Sequence, residues 1–172
     1  KPWRIVVLSG ATGSGKTEVL RHLNNLGEQV VDLEGLANHK GSAFGALGQE
    51  PQPSTEMFEN LLFEKLLTLD PNRTIWLEDE SASIGSVFIP TSFYKQMGAA
   101  PVVLMNISKE IRVERLVREY GCFSKEELVG CVQKIAKRLG NDNVQVCISA
   151  VEAGDLKKVA EMTLFYYDKS YS

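Results

Sequence analysis

The chain has 172 residues, 44% hydrophobic, 24% charged and 8% aromatic, which matches a folded globular domain and excludes disordered and fibrous classes. Its formal net charge of -3, from 19 Lys and Arg against 22 Asp and Glu, disfavours a globally basic nucleic-acid binder and leaves room for a local basic patch. Cys122, Cys131 and Cys147 are an odd number without Cys-x-x-Cys spacing, so buried or neutral thiols are expected rather than a disulfide framework or a zinc site. No apolar stretch reaches the roughly 18 residues of a membrane span and the N-terminus opens on a strand, so a cytoplasmic protein with no membrane partner is expected.

Ile5-Val6-Val7-Leu8-Ser9 is a β-branched apolar run ended by Gly10, the pattern of a strand buried on both faces. Val19, Leu20, Leu23 and Leu26 recur at helical spacing and predict a helix over Lys16 to Leu26, with Gly27 where a C-terminal cap belongs. Gln29 to Leu33 reads as the second strand. A glycine-rich connection from Glu34 to Pro53 follows, of a length that compact domains keep for function or leave disordered. Met57, Phe58, Leu61, Leu62, Leu66 and Leu69 place a helix over Ser54 to Leu69, stopped by Pro71. Thr74 to Leu77 is the third predicted strand, running into the acidic cluster Glu78-Asp79-Glu80. After a loop with Gly85 and Pro90 come a short helix near Thr91 to Met97, a fourth strand over Pro101 to Ile107 and a helix over Ser108 to Tyr120. Ser124-Lys125-Glu126-Glu127 has capping-box spacing and opens a helix to Leu139 and Gly140; Val144 to Ile148 reads as a fifth strand and Asp155 to Tyr167 as a last helix. The alternation predicts an α/β, three-layer, P-loop NTPase/kinase-like fold around a mainly parallel five-stranded sheet.

Gly10-Ala11-Thr12-Gly13-Ser14-Gly15-Lys16-Thr17 fits G-x-x-x-x-G-K-[ST] at every defined position, between a predicted strand and a predicted helix. Its glycines permit positive φ and let backbone N–H groups wrap an anion, and the helix N-terminus adds unsatisfied donors. Lys16 is expected to reach the terminal phosphates and Thr17 to offer its hydroxyl to Mg2+, while the phosphate compound stays open. A metal or catalytic carboxylate is expected at the end of a neighbouring strand, and two sets qualify: Asp32 with Glu34, and Glu78, Asp79 and Glu80. Asp32 reads as a metal ligand, a general base or a capping carboxylate. Three consecutive acids cannot all face one ion, so some of the second set are expected to be solvated or paired. Lys109, Arg112, Arg115 and Arg118 lie three residues apart on one helix and drift about 60° per step, so about two of them converge on one anion. Asn38-His39-Lys40-Gly41-Ser42 brings an imidazole, an ammonium and a hydroxyl to the expected carboxyl edge of the sheet.

The run Asp32-Leu33-Glu34-Gly35-Leu36-Ala37-Asn38-His39-Lys40-Gly41-Ser42-Ala43-Phe44-Gly45, taken with Gly10 to Thr17, Gln52-Pro53-Ser54, Phe58-Glu59 and Trp76 to Ser81, resembles the P-loop domain of the tRNA 2-selenouridine synthase family. Ile84-Gly85, Arg112-x-x-Arg115-Leu116 and Lys137 to Gly140 extend the likeness over nearly the whole chain. The resemblance implies a transferase that replaces the sulfur of wobble 2-thiouridine in tRNA by selenium from selenophosphate, through an S-geranyl intermediate made from geranyl diphosphate. On that reading Lys16, Asp32, Glu34 and His39 are the catalytic candidates. Gly10 to Thr17 with Arg112 and Arg115 bind phosphate or diphosphate, Lys40, Ser42 and Arg118 meet tRNA, and Thr17, Asp32 and Asp79 hold Mg2+ with no tightly bound organic cofactor. The family also carries a rhodanese-like domain with a reactive cysteine, and neither Cys122-Phe123-Ser124 nor Cys131-Val132-Gln133 resembles its loop. With Lys1 in place of an initiator Met, residues 1–172 are expected to be a single P-loop domain, a fragment or split half of a two-domain enzyme. The rhodanese-like partner would then stand in cis or as a separate subunit. The alternatives are a small-molecule or nucleoside kinase using ATP-Mg, and a non-catalytic phosphate-binding domain that docks tRNA for a separate subunit.

Overall fold

The computed structural model describes residues 2–170, so Lys1 lies outside the described residues. The chain divides into two compact units: the first comprises the chain through Gly10 together with Lys16–Met105, the second Ala11–Gly15 together with the chain from Asn106 onward.

In the first unit, β1 (Arg4–Gly10), α1 (Lys16–Asn25), β2 (Gln29–Val31), α2 (Leu33–Ala37), α3 (Thr55–Leu67), β3 (Thr74–Glu78), β4 (Ser83–Ile84), β5 (Val87–Phe88), α4 (Thr91–Gly98) and β6 (Val102–Met105) follow in order. Four of the strands form a parallel sheet in the order β2-β3-β1-β6, and β4 and β5 form a separate antiparallel pair. The register Leu8↔Glu78 and Gly10↔Met105 brings the ends of β3 and β6 level with the end of β1. β1 therefore ends at the point where the strand order reverses, the place where open α/β sheets bind ligands. One face of the sheet packs against Phe58, Leu62, Ile84, Val87 and Phe93, drawn from α3, β4, β5 and α4. The other packs through Leu8 and Val30 on Leu20 of α1, with Trp76 alongside. Two buried faces account for the continuous apolar runs in β1 and β3.

Two sequence expectations are corrected in this unit. The second strand stops at Val31 rather than Leu33, because Asp32 turns the chain and its carboxylate accepts from the Gly35 N–H as the N-cap of α2. The glycine-rich connection thus begins with a helical turn that ends at Asn38 in the left-handed conformation, φ 49°.

The second unit holds α5 (Lys109–Tyr120), α6 (Lys125–Lys134), α7 (Ala136–Leu139), α8 (Asn141–Glu152) and α9 (Leu156–Ser170). Ser124 and Glu127 close the expected capping box. The predicted fifth strand at Val144 to Ile148 is instead part of α8. Its alternation of Val144, Val146 and Ile148 is a short excerpt of a helical repeat that buries Val144, Cys147, Ala150 and Val151 and leaves Val146 exposed. The parallel sheet accordingly has four strands and not five. Cys131 and Cys147 are buried and their thiols are pushed up by burial, Cys147 to about 11, while Cys122 is exposed. Among the described residues no helix is long and apolar enough to cross a membrane.

Candidate functional site

β1 delivers Gly10 to the carboxyl edge of the sheet, and the chain returns as α1 at Lys16. The turn between them needs two glycines in conformations that side chains avoid, φ 78° at Gly13 and 87° at Gly15. Within the first unit, the Lys16 ammonium donates to the Gly10 carbonyl at 2.7 Å. Thr17 Oγ1 reaches Glu34 Oε2 at 3.5 Å.

Carboxylates from two elements gather beside this edge. Glu78, 2% exposed at the end of β3, accepts from the Glu34 N–H through Oε1 at 2.7 Å, and its Oε2 has no hydrogen-bond partner among the described residues. Burial pushes Glu78 up to about 8. Glu80 is pushed to about 9, first by burial and then by the charge of Glu34, to which it is hydrogen bonded. Burial likewise raises Glu34 above its ordinary value, against the pull of its bond to Glu80 and of the Lys16 ammonium. Both converge on Gly41, whose φ is 72° and where an added Cβ would lie 2.9 Å from Glu80 Oε2 and 3.2 Å from Glu34 Oε1. Asp79 turns the other way, is exposed, and accepts from Ser9 Oγ at 2.6 Å.

Of the residues expected to hold a metal, Asp32 serves the α2 cap, Asp79 pairs with Ser9 and Thr17 faces Glu34. No group of three or more His, Cys, Asp or Glu among the described residues is arranged to hold a metal ion. Such a donor set suits an ion shared with a phosphate ligand better than a cage of protein carboxylates.

His39 lies in the connection after α2. The Gly41 N–H donates to its Nδ1 at 3.0 Å, so its ring proton sits on Nε2. The loop is latched by Gln52, whose Nε2 donates to the carbonyls of Ala37 and Ile84 while its Oε1 accepts from the Ser86 N–H and hydroxyl. Sequence reasoning grouped Gln52 only with Pro53 and Ser54. Its side-chain partners are 32 and 34 residues away at Ile84 and Ser86, where no local pattern points to it. Lys40 is exposed and Ser42 half-buried, the Lys40 N–H donating to Gly45 O and the Gly45 N–H to Ser42 O, so both lie on one tight turn. A methyl group at Gly85, where φ is 60°, would collide with Gln52 Oε1 and come within 2.9 Å of the His39 ring. Gly85→Ala is therefore expected to destabilise the fold by about 2 kcal/mol, through backbone strain and loss of Gln52 hydrogen bonds. An unchanged urea midpoint with a native circular-dichroism spectrum would contradict this.

In the second unit, Ala11–Gly15 packs against α5. Arg112 is 7% exposed and already committed: its Nε donates to the Thr12 carbonyl at 2.8 Å and its two amino groups grip Asp168 at 2.6 and 3.2 Å. Arg115 is the arginine that lies over the loop, since a Cβ on Gly15 would meet its guanidinium at 2.6 Å. Arg118 is exposed on the same helix. One turn of helix thus separates an arginine that braces the loop from an arginine whose guanidinium lies at it. Asp168, 56 residues from Arg112, was not identified from the sequence.

The chain is 36% identical over 158 residues to tRNA 2-selenouridine synthase of Shewanella frigidimarina, covering 91% of this chain and 41% of that protein. The protein of the same name in Shewanella loihica is 37% identical over 198 residues, covering 97% and 52%, and that of Shewanella sp. strain ANA-3 is 45% identical over 118 residues, covering 67% and 31%. The chain therefore spans between 31% and 52% of the length of these relatives. Among solved structures, TT1252 from Thermus thermophilus aligns with a TM-score of 0.43 at 22% identity, over 89% of this chain and 98% of that one, too loose a likeness to carry an argument. The family model for the tRNA 2-selenouridine synthase AAA domain matches residues 3–129, which include the loop, the carboxylates, the His39 connection and α5, and the chain belongs to that family.

Proposed function

We propose that this chain is the phosphate-binding part of a longer tRNA-modifying transferase that converts wobble 2-thiouridine to 2-selenouridine through S-geranyl-2-thiouridine. The observation that carries the reading is the loop Gly10 to Thr17, with its two left-handed glycines and its lysine, in a chain of this family. In the first step the thiouridine sulfur forms a bond to C1 of geranyl diphosphate, the C1–O bond breaks, the diphosphate departs with the bonding pair and the base loses its N3 proton. Backbone N–H groups of the loop and the Lys16 ammonium stabilise the charge that develops on the leaving diphosphate. Arg115 adds its guanidinium at Gly15, while Arg112 keeps the loop in shape through Thr12. Glu34, the carboxylate that accepts the hydrogen bond of protonated Glu80, takes the proton the base gives up, and His39 donates from Nε2 to the substrate. Thr17 would hold a Mg2+ ion beside the phosphate ligand, and the ion would supply further charge neutralisation there. In the second step selenium from selenophosphate bonds to C2 of the base, geranyl thiolate leaves, and water takes the phosphoryl group. Lys40, Ser42 and Arg118 belong to the tRNA contact, and a rhodanese-like domain, in cis or as a separate subunit, completes the enzyme.

The deciding experiment is calorimetric titration of the chain with geranyl diphosphate, selenophosphate and ATP-Mg side by side. Binding of geranyl diphosphate or selenophosphate at least tenfold tighter than ATP-Mg is expected. Tight ATP binding with phosphoryl transfer to a hydroxyl acceptor, and no affinity for the other two, would give the chain to the kinases.

A further inference from the structure

The second unit has a surface at α7 and α9 that carries Lys137, Arg138, Phe165 and Lys169, that the loop before α1 does not use and that lies beyond the matched residues 3–129. Phe165 of α9 is 52% exposed, and the Lys169 ammonium sits over its ring, 4.2 Å from the centroid. Beside it, Arg138 of α7 donates to the Tyr166 hydroxyl at 3.5 Å. Lys134 and Lys137, on the exposed side of α6 and α7, extend the positive charge. In the same unit a cavity of about 170 Å³ is lined by Leu139, Asn143, Glu161, Met162 and Phe165, the last carrying the Lys169 ammonium over its ring.

A cavity of about 150 Å³ accepts a six-membered aromatic ring. The walls here are Leu139, Met162 and the Phe165 ring, the surfaces on which a flat ring stacks. The polar groups at the walls include two acceptors: the Asn143 carbonyl oxygen, its amide donating one N–H to the Leu139 carbonyl at 2.9 Å, and the Glu161 carboxylate. A base edge bearing N–H groups meets both requirements. Arg138, next in the chain to Leu139, and Lys169, over the Phe165 ring, supply the cations a phosphate backbone needs. Lys134, Lys137, Arg138 and Lys169 outnumber the one lining carboxylate, Glu161, so the charge of this surface favours a polyanion with an aromatic ring over an apolar partner.

We infer that the cavity bounded by Leu139, Met162 and Phe165 holds one unpaired base of an RNA strand, with Arg138 and Lys169 on its phosphates. The inference rests on the RNA partner of the reading above and adds a contact outside the phosphate loop.

The test is fluorescence anisotropy with two labelled hairpins, one with an unpaired uridine-rich loop and one fully paired. Phe165→Ala is expected to weaken the looped hairpin roughly five- to a hundredfold and to leave the paired one unchanged, because stacking needs a base that is out of the helix. Phe165→Trp restores binding of the looped hairpin. Arg138→Glu weakens both hairpins and flattens the salt dependence by the loss of a phosphate contact. Circular dichroism checks that each variant is folded, and Phe165 is exposed enough to be replaced without opening the core. If the unsubstituted chain binds neither hairpin, this inference and the RNA partner above fall together. If it binds the looped hairpin and Phe165→Ala changes that affinity less than twofold, the inference alone falls. Loss of self-association in Phe165→Ala with intact RNA affinity would assign the surface to a protein contact and overturn it.

Discussion

Lys16→Ala is expected to weaken geranyl diphosphate binding about 100-fold, as read by calorimetry, with little change in thermal midpoint. Among the described residues the lysine makes one hydrogen bond, to the Gly10 carbonyl, so its loss from the fold costs about 1 kcal/mol or less. Toward a diphosphate it supplies a full positive charge at short range, and a charge-assisted hydrogen bond in a partly dehydrated loop carries about 1.5–3 kcal/mol, or ten- to over a hundredfold in affinity. The same ammonium draws Glu34 and Glu80 toward ionisation, so its removal leaves both carboxyls harder to ionise. Lys16→Arg keeps the charge and replaces a compact point charge by a planar fork, and is expected to recover only part of the affinity. An affinity within threefold of the parent for Lys16→Ala would mean that the loop is not the anion site, and the docking-domain alternative would gain.

Stability should fall as pH rises from about 5 to about 8. Glu78 and Glu80 titrate near 8 and 9 in the folded chain, above the ordinary value of 4.5, because burial penalises their charged forms. Between those values the folded chain holds protons that the unfolded chain has released, so the slope of unfolding free energy against pH is negative. The stabilisation is complete below the ordinary value and is lost as pH climbs through the folded one. Its steepest slope is on the order of 1 kcal/mol per pH unit for each group. Urea midpoints measured from pH 5 to pH 9 read this directly. Glu80→Gln, which imitates the protonated carboxyl, should flatten the curve and raise stability at pH 8. A midpoint that stays level or increases over that interval would show that the two carboxyls are ionised in the fold.

The glycine-rich loop was legible because its requirements are local. Gly13 and Gly15 need positive φ, Lys16 and Thr17 need to follow directly, and a buried strand must precede them; all of this is contained in consecutive residues. Helix and strand identities were legible where the apolar repeat ran long enough, as in α3 and α5, and the capping box at Ser124 was readable letter by letter. Reading failed where a short window was ambiguous. Five residues from Val144 to Ile148 satisfy a period of two, and only the wider stretch Asn141–Glu152 with its buried face reveals a period near 3.6. At Asp32 the strand pattern continued into Leu33, but a carboxylate able to take a backbone N–H three residues on converts the same letters into a helix start.

The sequence by itself determined the chain's family, the glycine-rich loop before α1 and the supply of acids and arginines around it. Tertiary structure alone decided how that supply is divided. Glu78, Asp79 and Glu80 are adjacent in the chain, yet one is buried beneath α2, one faces Ser9 and one joins Glu34 above Gly41, because each step along the backbone turns a side chain to a new environment. Arg112 and Arg115 are three residues apart on a helix, and Asp168, far along the chain, claims the first while the second is left at Gly15. Charge and residue type are written in the sequence; burial and partnership, which set whether a carboxyl keeps its proton or an arginine meets a phosphate, exist only after distant segments have packed together.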